Sequence, residues 1–290
     1  MGTSVSITVY DKDDKAFVDG VFSLLYDIEK KISAKLDSSY ISEINRNAGI
    51  MPVSVPDDVY SLVEYSLWIS EKTEGLFNPA IGALTSIWGI GSDSAKIPSQ
   101  DEINQVLPLL STDDIVLDSE NKTVYLKKKG MKLDLGGIGK GYAADSVRDY
   151  LVSNGVERAI VNLGGNIYAL GRKNNEEKWK VGIMDPNASG KYVTLVEVED
   201  KSVVTSGGYE RFFEKDGVVY HHILNSETGF PFESDLLSAT IVTDNSTLAD
   251  ALSTTVFAGG KEIAEGISEK FGVAVIIYTE DKEIITYGNP

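Results

Sequence analysis

The spacing of apolar residues changes along the chain, and the change separates an N-terminal part with helical periodicity from a later part with strand periodicity. Residues 3–10 alternate apolar residues with Ser and Thr, which predicts a half-buried strand. Apolar residues then recur at helical spacing over residues 14–33. Further helices are predicted from Pro56-Asp57-Asp58 and after Ser99, where residues typical of helix starts precede apolar periodicity.

From about residue 113 the pattern predicts mainly short strands with short connections. Strands are predicted at residues 115–117, 123–126, 132–135, 159–163, 179–183, 192–198, 202–205, 218–224, 238–242, 273–278 and 283–287. Helices are predicted at residues 142–152, 247–257 and 261–271. Short connections favour antiparallel pairing, so the expected fold class is α+β, with an antiparallel strand-rich core and packed helices. We expect one unit over residues 1–290, with a possible seam near 92–99.

Composition narrows the function classes. The formal net charge is −17 and the chain has no cysteine. Such an acidic chain repels nucleic-acid backbones, so no nucleic-acid partner is expected, and the missing thiols exclude disulfides, thiolate nucleophiles and Cys-ligated zinc. An anionic small ligand would need local help from backbone amides or from a cation.

Three glycine turns at strand ends supply such amides. The first, within residues 133–142, connects a predicted strand to a predicted helix and suits a phosphate or pyrophosphate. It matches neither the P-loop nor the Rossmann fingerprint, and a tight turn with no ligand is the alternative. Residues 162–166 and 205–208 repeat the arrangement, as expected of a site built from loops.

A carboxylate among small and apolar residues marks the helix predicted at residues 247–257. Asp250 and Thr254 are four residues apart, so their side-chain oxygens share one helix face, with Ser253 beside them. A buried carboxylate needs compensation, and oxygen ligands suit Mg²⁺. The alternative is an early-helix Asp that interacts with the helix dipole.

The only two histidines, His221 and His222, are adjacent in a predicted strand. Neighbouring strand residues point to opposite faces, so at most one of them faces a given site. A polar surface role and a functional role stay open on these residues alone, because the strand leads into a turn-rich loop where functional residues concentrate.

Taken together, these segments make the chain resemble the ApbE family of flavin transferases over nearly its whole length. The resemblance includes a T-fold-like architecture. The matching stretches, in family order, are residues 1–3, 75–79, 134–145, 162–166, 182–186, 205–207, 222–231 and 249–254.

The resemblance implies that FAD is the substrate and that Mg²⁺ is a cofactor near its pyrophosphate. The metal ligands implied are Gly137, through its backbone carbonyl, Asp250 and Thr254. The catalytic residues implied are Asp250 and His222, the latter for proton transfer. The residues implied to contact the flavin nucleotide are Met1, Leu76, Phe77, Asn78, Asp134, Lys140 and Leu224.

The activity implied is Mg²⁺-dependent transfer of FMN from FAD to a threonine hydroxyl of a partner flavoprotein, with release of AMP. Partners would carry a Ser/Thr-rich flavinylation motif, as subunits of membrane redox pumps do. An FAD pyrophosphatase that releases FMN and AMP, and a non-catalytic flavin-binding protein, are the alternatives. The resemblance also implies export, with a lipid anchor on the outer face of the cytoplasmic membrane, and an export segment absent from this sequence.

Three positions depart from the family pattern. Asn225-Ser226 stands where Asp-Pro is commoner, and Lys140 stands where some members have an acidic residue. Lys35 lies where other members carry an aromatic or amide residue near the adenine. This last departure leaves the balance between transfer and hydrolysis open.

Overall fold

A computed structural model describes residues 3–12, 15–174, 177–188 and 190–290. The α-helices in these ranges are α1 (Lys15–Ile32), α2 (Tyr40–Arg46), α3 (Asp57–Lys72), α4 (Gly82–Trp88), α5 (Gln100–Val106), α6 (Gly139–Ser153), α7 (Ser246–Gly259) and α8 (Lys261–Phe271). The strands are β1 (Val5–Val9), β2 (Val53–Ser54), β3 (Ile115–Asp118), β4 (Thr123–Leu126), β5 (Ala159–Leu163), β6 (Asn166–Leu170), β7 (Trp179–Met184), β8 (Tyr192–Val198), β9 (Lys201–Ser206), β10 (Phe212–Lys215), β11 (Val218–His221), β12 (Leu236–Thr243), β13 (Ala274–Thr279) and β14 (Ile284–Tyr287). The predicted α+β class with antiparallel pairing is confirmed.

The residue contacts divide the chain into two compact units. The sheet unit comprises the chain up to Asp27, Ile138–Gly207 and Ser234–Pro290. The helical unit comprises Ile28–Gly137 and Gly208–Glu233. The segment 92–99, where a seam was predicted, lies inside the helical unit.

A seven-stranded antiparallel sheet organises the sheet unit, in the order β1-β5-β6-β9-β12-β13-β14. Helices α6 and α7 pack on this sheet, α7 against β9 and β12 and α6 against β5 and β6. The β7–β8 hairpin packs its apolar residues, including Trp179 and Val198, against Val203 and Ile276 of the sheet. The hairpin thus covers the sheet through apolar contacts, and α6 and α7 are positioned by their own packing on the same sheet.

The helical unit holds α2 to α5, the three-stranded sheet β2-β4-β3 and the hairpin β10–β11. The Asp57 start of α3 and the Ser99 start of α5 are confirmed, and Ser99 forms a complete capping box with Glu102. Trp88, which is fully buried, is the centre of an apolar cluster with Leu84 and Leu110.

Three predicted elements need correction. Residues 132–135 form no strand, because their backbone pairs with a loop: Gly82 N–H donates to Lys132 O and Asp134 N–H donates to Pro79 O. The strand predicted at 218–224 ends at His221, after which Ile223 O accepts from the N–H of Phe232. The helix predicted from residue 142 begins at Gly139, so most of the glycine turn belongs to its first turn.

None of the helices in the described ranges is both long enough and apolar enough to span a membrane.

Candidate functional site

Helices α6 and α7 of the sheet unit run antiparallel at very close range. Gly141, in the first turn of α6, lies opposite Asp250, and Asp145 lies opposite the first residues of α7. A Cβ atom at Gly141 would be 2.2 Å from the carbonyl oxygen of Ser246. Only glycine fits there, so the glycine at this position of the motif is required by helix packing.

Asp250 lies at the point of closest approach, with 2% of its surface exposed. Its Oδ2 accepts the Gly141 N–H at 2.9 Å, so the carboxylate caps the N-terminus of α6. Burial raises the pKa of the Asp250 carboxyl, and the Lys140 ammonium, the Gly141 and Lys140 N–H groups and the Asn166 amide oppose that rise. The predicted carboxylate is therefore buried and only partly compensated.

A row of hydroxyl groups continues from Asp250 along α7. Thr254 Oγ1 lies 3.3 Å from Asp250 O, and it is half-buried where its neighbours in α7 are buried. Ser206 Oγ, at the end of β9, lies 2.8 Å from Ser253 Oγ and 3.4 Å from Thr254 Oγ1. Asp250 and Thr254 are thus one turn apart in α7, with the Thr254 hydroxyl bonded to the main-chain carbonyl of Asp250, and Ser206 contacts this helix from the end of β9.

A second carboxylate, Asp145 of α6, has a different environment. Its Oδ1 accepts the Ser246 N–H at 3.0 Å and an N–H of Arg148 at 2.7 Å. Its Oδ2 accepts the N–H and the hydroxyl of Thr247 at 2.8 and 2.6 Å. Asp145 therefore caps the N-terminus of α7 and is fully compensated.

Asn166, the first residue of β6, lies beneath Asp250 and is completely buried. Its Oδ1 accepts the hydroxyl of Ser246 at 2.7 Å, and Ser246 in turn accepts the hydroxyl of Ser202 at 2.8 Å. Its Nδ2 forms no hydrogen bond with any part of the chain that the structure describes. The amide is close enough to lower the pKa of Asp250, yet it does not meet the geometry of a regular hydrogen bond.

In the helical unit, the structure brings together two of the predicted nucleotide-binding stretches. Asp134 Oδ1 accepts the Gly136 N–H at 2.8 Å, and its Oδ2 accepts the Thr85 hydroxyl at 3.1 Å. Asp134 N–H donates to the carbonyl of Pro79, the residue after Asn78. Asn78 donates to Leu110 O at 2.9 Å and accepts the Ala80 N–H at 2.8 Å, so its amide fixes the loop.

The remaining predicted apolar contacts of the helical unit are only slightly accessible. Phe77 is buried, Leu76 is half-buried, and Leu224 is 8% exposed within the cluster around Trp88. Trp88 donates its indole N–H to Gly229 O at 2.8 Å, which ties the loop after β11 to this cluster.

The two histidines have different hydrogen bonds. His221 Nε2 lies 3.0 Å from Phe232 O, and the Ile223 N–H lies 3.3 Å from His221 Nδ1. His222 Nδ1 lies 3.2 Å from Arg211 O. A carbonyl oxygen only accepts, so His221 carries its proton on Nε2 and His222 carries its proton on Nδ1. Burial lowers the pKa of His221, a tendency opposed by its bond to Phe232.

The loop after His222 explains how the chain tolerates Asn225 in place of aspartate. Asn225 Oδ1 accepts the N–H groups of Glu227 and Thr228 at 2.7 and 3.2 Å. The Asn225 and Gly229 backbones close the loop through bonds to Phe230 O and Asn225 O. An asparagine oxygen makes this turn as an aspartate would, so the departure leaves the loop conformation intact.

The predicted residues therefore fall into sets within the two units. Lys140, Asp250 and Thr254 belong to the sheet unit. Gly137 is the last residue of Ile28–Gly137, the first segment of the helical unit. Met1 lies outside the described residues.

In the described ranges, no three His, Asp or Glu side chains converge as a metal cluster would require. Sequence reasoning singled out none of Asn166, Ser246, Ser202 and Ser206 individually, although the Gly164-Gly165 pair before Asn166 marked the region.

Comparison with known proteins gives consistent matches. The model of the ApbE family matches residues 1–277. FAD:protein FMN transferase from Treponema pallidum (strain Nichols) is 40% identical, over 98% of this chain and 84% of that protein, and the enzyme of the same name from Klebsiella pneumoniae (strain 342) is 35% identical, over 98% and 89%.

Solved structures agree with the sequence matches. The crystal structure of the ApbE protein from Thermotoga maritima aligns with a TM-score of 0.89 and 31% identity, over 98% of this chain and 92% of that one. The flavin transferase ApbE from Vibrio cholerae aligns with a TM-score of 0.88 and 25% identity, over 100% and 94%.

Proposed function

The chain belongs to the ApbE family and is a transferase enzyme of the FAD:protein FMN transferase type, and from this premise we propose that it moves FMN from FAD to a threonine hydroxyl of a partner protein in a Mg²⁺-dependent reaction that releases AMP. The observation that carries the proposal is Asp250, a buried carboxylate that accepts the Gly141 N–H at the first turn of α6 and lies one helical turn before Thr254 in α7. A buried carboxylate that is only partly compensated destabilises the folded protein, and such groups are concentrated at functional sites.

The residues present suit Mg²⁺. The Asp250 carboxylate and the Thr254 hydroxyl are hard oxygen donors, and the Gly137 carbonyl is a further oxygen expected from the resemblance. A site with one carboxylate leaves coordination positions for water and for the phosphates of FAD, which is usual for Mg²⁺. When bound, the ion neutralises charge on the phosphoryl oxygens.

His222 supplies the base for the acceptor hydroxyl. Because its Nδ1 donates to Arg211 O, its Nε2 is the nitrogen that accepts a proton. The acceptor oxygen forms a bond to the FMN phosphorus, the bond from that phosphorus to the AMP oxygen breaks, and the acceptor proton passes to Nε2. No side chain of this protein becomes covalently attached.

Five of the nucleotide contacts that the resemblance implies belong to the helical unit. Asp134 and Asn78 are fixed by hydrogen bonds of their own, and Leu76, Phe77 and Leu224 offer apolar surface. Lys140 offers positive charge next to Asp250. Met1 completes the set that the resemblance implies.

We also propose that the acceptor is a flavoprotein with a Ser/Thr-rich motif, such as a subunit of a membrane redox pump, and that the protein works exported and lipid-anchored. Support for both comes from the family membership. Fractionation of the native host, followed by blotting for this chain, tests the location: recovery in the soluble cytoplasmic fraction alone would contradict it.

The decisive experiment incubates the protein with FAD, Mg²⁺ and an acceptor that carries a Ser/Thr-Gly-Ala-Ser/Thr motif. Transfer predicts a fluorescent flavin band on the acceptor after denaturing electrophoresis, absent with EDTA and absent when the acceptor threonine is replaced by valine. An unlabelled acceptor with intact wild-type protein and Mg²⁺ would contradict the proposal.

The competing function is hydrolysis of FAD to FMN and AMP, with water in place of the acceptor hydroxyl. Lys35 is exposed in the turn after α1, at the position where the resemblance implies an aromatic or amide residue near the adenine, and this departure is the reason hydrolysis is kept as the second candidate. Chromatography of the same reaction separates the two: free FMN equal to AMP in the presence of acceptor indicates hydrolysis, and AMP in excess of free FMN indicates transfer.

A further inference from the structure

The buried Nδ2 of Asn166 is an anomaly in the sheet unit. Buried side-chain amides are nearly always hydrogen-bonded, and an unsatisfied donor costs about 1–3 kcal/mol. Among the buried side-chain atoms of the described residues, Asn166 Nδ2 is the one that has no hydrogen-bond partner. Such an atom calls for a physical reason.

Hydrogen bonds from two serine hydroxyls in series fix the orientation of the Asn166 amide. Ser202 donates to Ser246, and Ser246 donates to Asn166 Oδ1, at 2.8 and 2.7 Å. All three side chains are fully buried, so water does not compete for these bonds. With Oδ1 engaged by Ser246, the two hydrogens of Nδ2 are directed away from the serines.

The Asn166 side-chain amide interacts with the Asp250 carboxylate, and Nδ2 is the atom of that amide that can donate to it. Asp250 Oδ2 already accepts the Gly141 N–H, and each carboxylate oxygen has two acceptor sites, so capacity for a further donor exists. A carboxylate that ligates a metal is commonly held by a hydrogen bond from a residue behind it, and losing that residue typically weakens metal binding about 10–100-fold.

We propose that Asn166 is a positioning residue that orients the Asp250 carboxylate for the cation through its Nδ2, and that Ser246 and Ser202 lock the Asn166 amide in the required orientation. The proposal rests on the proposed function, because it takes Asp250 to be the metal-binding carboxylate. It goes beyond it in assigning a role to three residues that contact neither cation nor flavin.

The test measures Mg²⁺ affinity rather than turnover. Isothermal titration with Mg²⁺ is carried out on protein saturated with ADP, which offers a pyrophosphate but no FMN to transfer. Asn166→Leu removes the donor while keeping the number and branching of the side-chain heavy atoms, and Ser246→Ala removes the hydrogen bond to Asn166 Oδ1. Asn162→Ala is the control, since Asn162 lies in β5, next to the turn that leads to Asn166, and accepts the Gly165 N–H at 3.1 Å.

We expect Asn166→Leu to raise the Kd for Mg²⁺ about tenfold or more, Ser246→Ala to raise it a few-fold, and Asn162→Ala to leave it within twofold of the wild type. The Kd for ADP in EDTA should stay within twofold in all three variants, which a general loss of structure would not allow.

Two results would overturn the proposal: a Kd for Mg²⁺ in Asn166→Leu within twofold of the wild type, or an equal loss of ADP affinity in EDTA. Should Asn166→Leu fail to fold, an unchanged Mg²⁺ affinity in Ser246→Ala overturns it instead. A wild-type protein that binds ADP but no Mg²⁺ is a separate result, which removes the metal from the proposed function itself.

Discussion

Helices α6 and α7 each have an N-terminus capped by a carboxylate from the other helix, and the two carboxylates differ in their hydrogen-bond donors and in their burial. Asp145 caps α7 and receives four donors, among them Arg148. Asp250 caps α6, receives the Gly141 N–H and is almost completely buried. The same geometry therefore contains a satisfied structural carboxylate and an under-compensated one.

The difference separates stability from function. The four hydrogen bonds that Asp145 accepts, one of them from the Arg148 guanidinium, strengthen the helix pair. Burial raises the pKa of Asp250, so its ionised form is less favourable in the folded protein than in the unfolded chain. Asp250 therefore costs stability above its unfolded pKa, and a cation beside it would offset that cost.

The largest expected effect comes from exchanging each carboxylate for its amide. Asp250→Asn keeps an oxygen for the Gly141 N–H but removes the charge, so we expect transfer to fall about 10³-fold, with thermal stability without metal unchanged or higher. Asp145→Asn should instead lower the free energy of unfolding by about 1–3 kcal/mol, with transfer per folded molecule largely kept. In-gel flavin fluorescence and thermal denaturation measure both; loss of stability in Asp250→Asn and loss of catalysis in Asp145→Asn would reverse the assignment.

The two histidines of the helical unit also differ in this way, one with a catalytic role in the proposal and one with a structural role, and the expected effects are smaller. His222→Ala should slow transfer about 10²-fold, because its Nε2 takes the acceptor proton. His221→Ala, which removes a ring held at both nitrogens, should slow transfer only a few-fold and lower stability instead. Single-turnover rates of both variants, measured with saturating FAD, provide the check, and similar rates would show that the base lies elsewhere.

The close approach of α6 and α7 is tested by adding one methyl group. In Gly141→Ala the new Cβ would lie 2.2 Å from Ser246 O, so the helices must separate, at a cost of about 1–3 kcal/mol in unfolding free energy. Gly266→Ala is the matched control, since nothing lies within 4 Å of a Cβ there. It should raise stability by about 0.5–1 kcal/mol in α8. Denaturant unfolding distinguishes them, and equal stabilities would mean that the helices are not held this closely.

The smallest expected effect concerns pH. Burial lowers the pKa of His221 below 6.5, so the unfolded chain binds its proton more readily than the folded protein does. The stability that neutral His221 contributes is complete above pH 6.5 and is lost as the pH falls from there through its lower folded pKa. His221→Asn should flatten the stability profile in that window relative to the wild type, as measured by denaturant titrations from pH 7.5 to 5. A profile of unchanged steepness would contradict this.

Much of the fold could be predicted from periodicity. Strands such as β5, β8 and β12 and helices such as α1, α7 and α8 were predicted near their observed bounds, because their apolar residues follow strand or helix spacing. The short elements α2, α4, β6 and β10 were not predicted. Short elements depend on tertiary contacts, as α4 does on the burial of Trp88.

The candidate site was predicted in part. The helical spacing of Asp250 and Thr254 is observed in α7, where the Thr254 hydroxyl donates to the Asp250 main-chain carbonyl, and their sharing of a cation stays a prediction. The first glycine turn was expected to expose amides, but Asp134 accepts the N–H of Gly136 and Asp250 accepts that of Gly141. The Asp134 bond is local, two residues away, whereas sequence spacing does not reveal that a side chain more than one hundred residues away accepts the Gly141 N–H.

The sequence by itself determined the periodic elements, the acidic charge, the absence of thiols and the side chains capable of binding a cation, since each of these depends on residue type and local spacing alone. Only the tertiary structure decided that Asp145 accepts four donors whereas burial raises the pKa of Asp250 despite its donors, and that Asn166 lies behind Asp250 with its Nδ2 lacking a regular hydrogen bond. The physical reason is that burial and hydrogen-bond partners come from segments distant in the chain, and these two quantities set the cost of a charge.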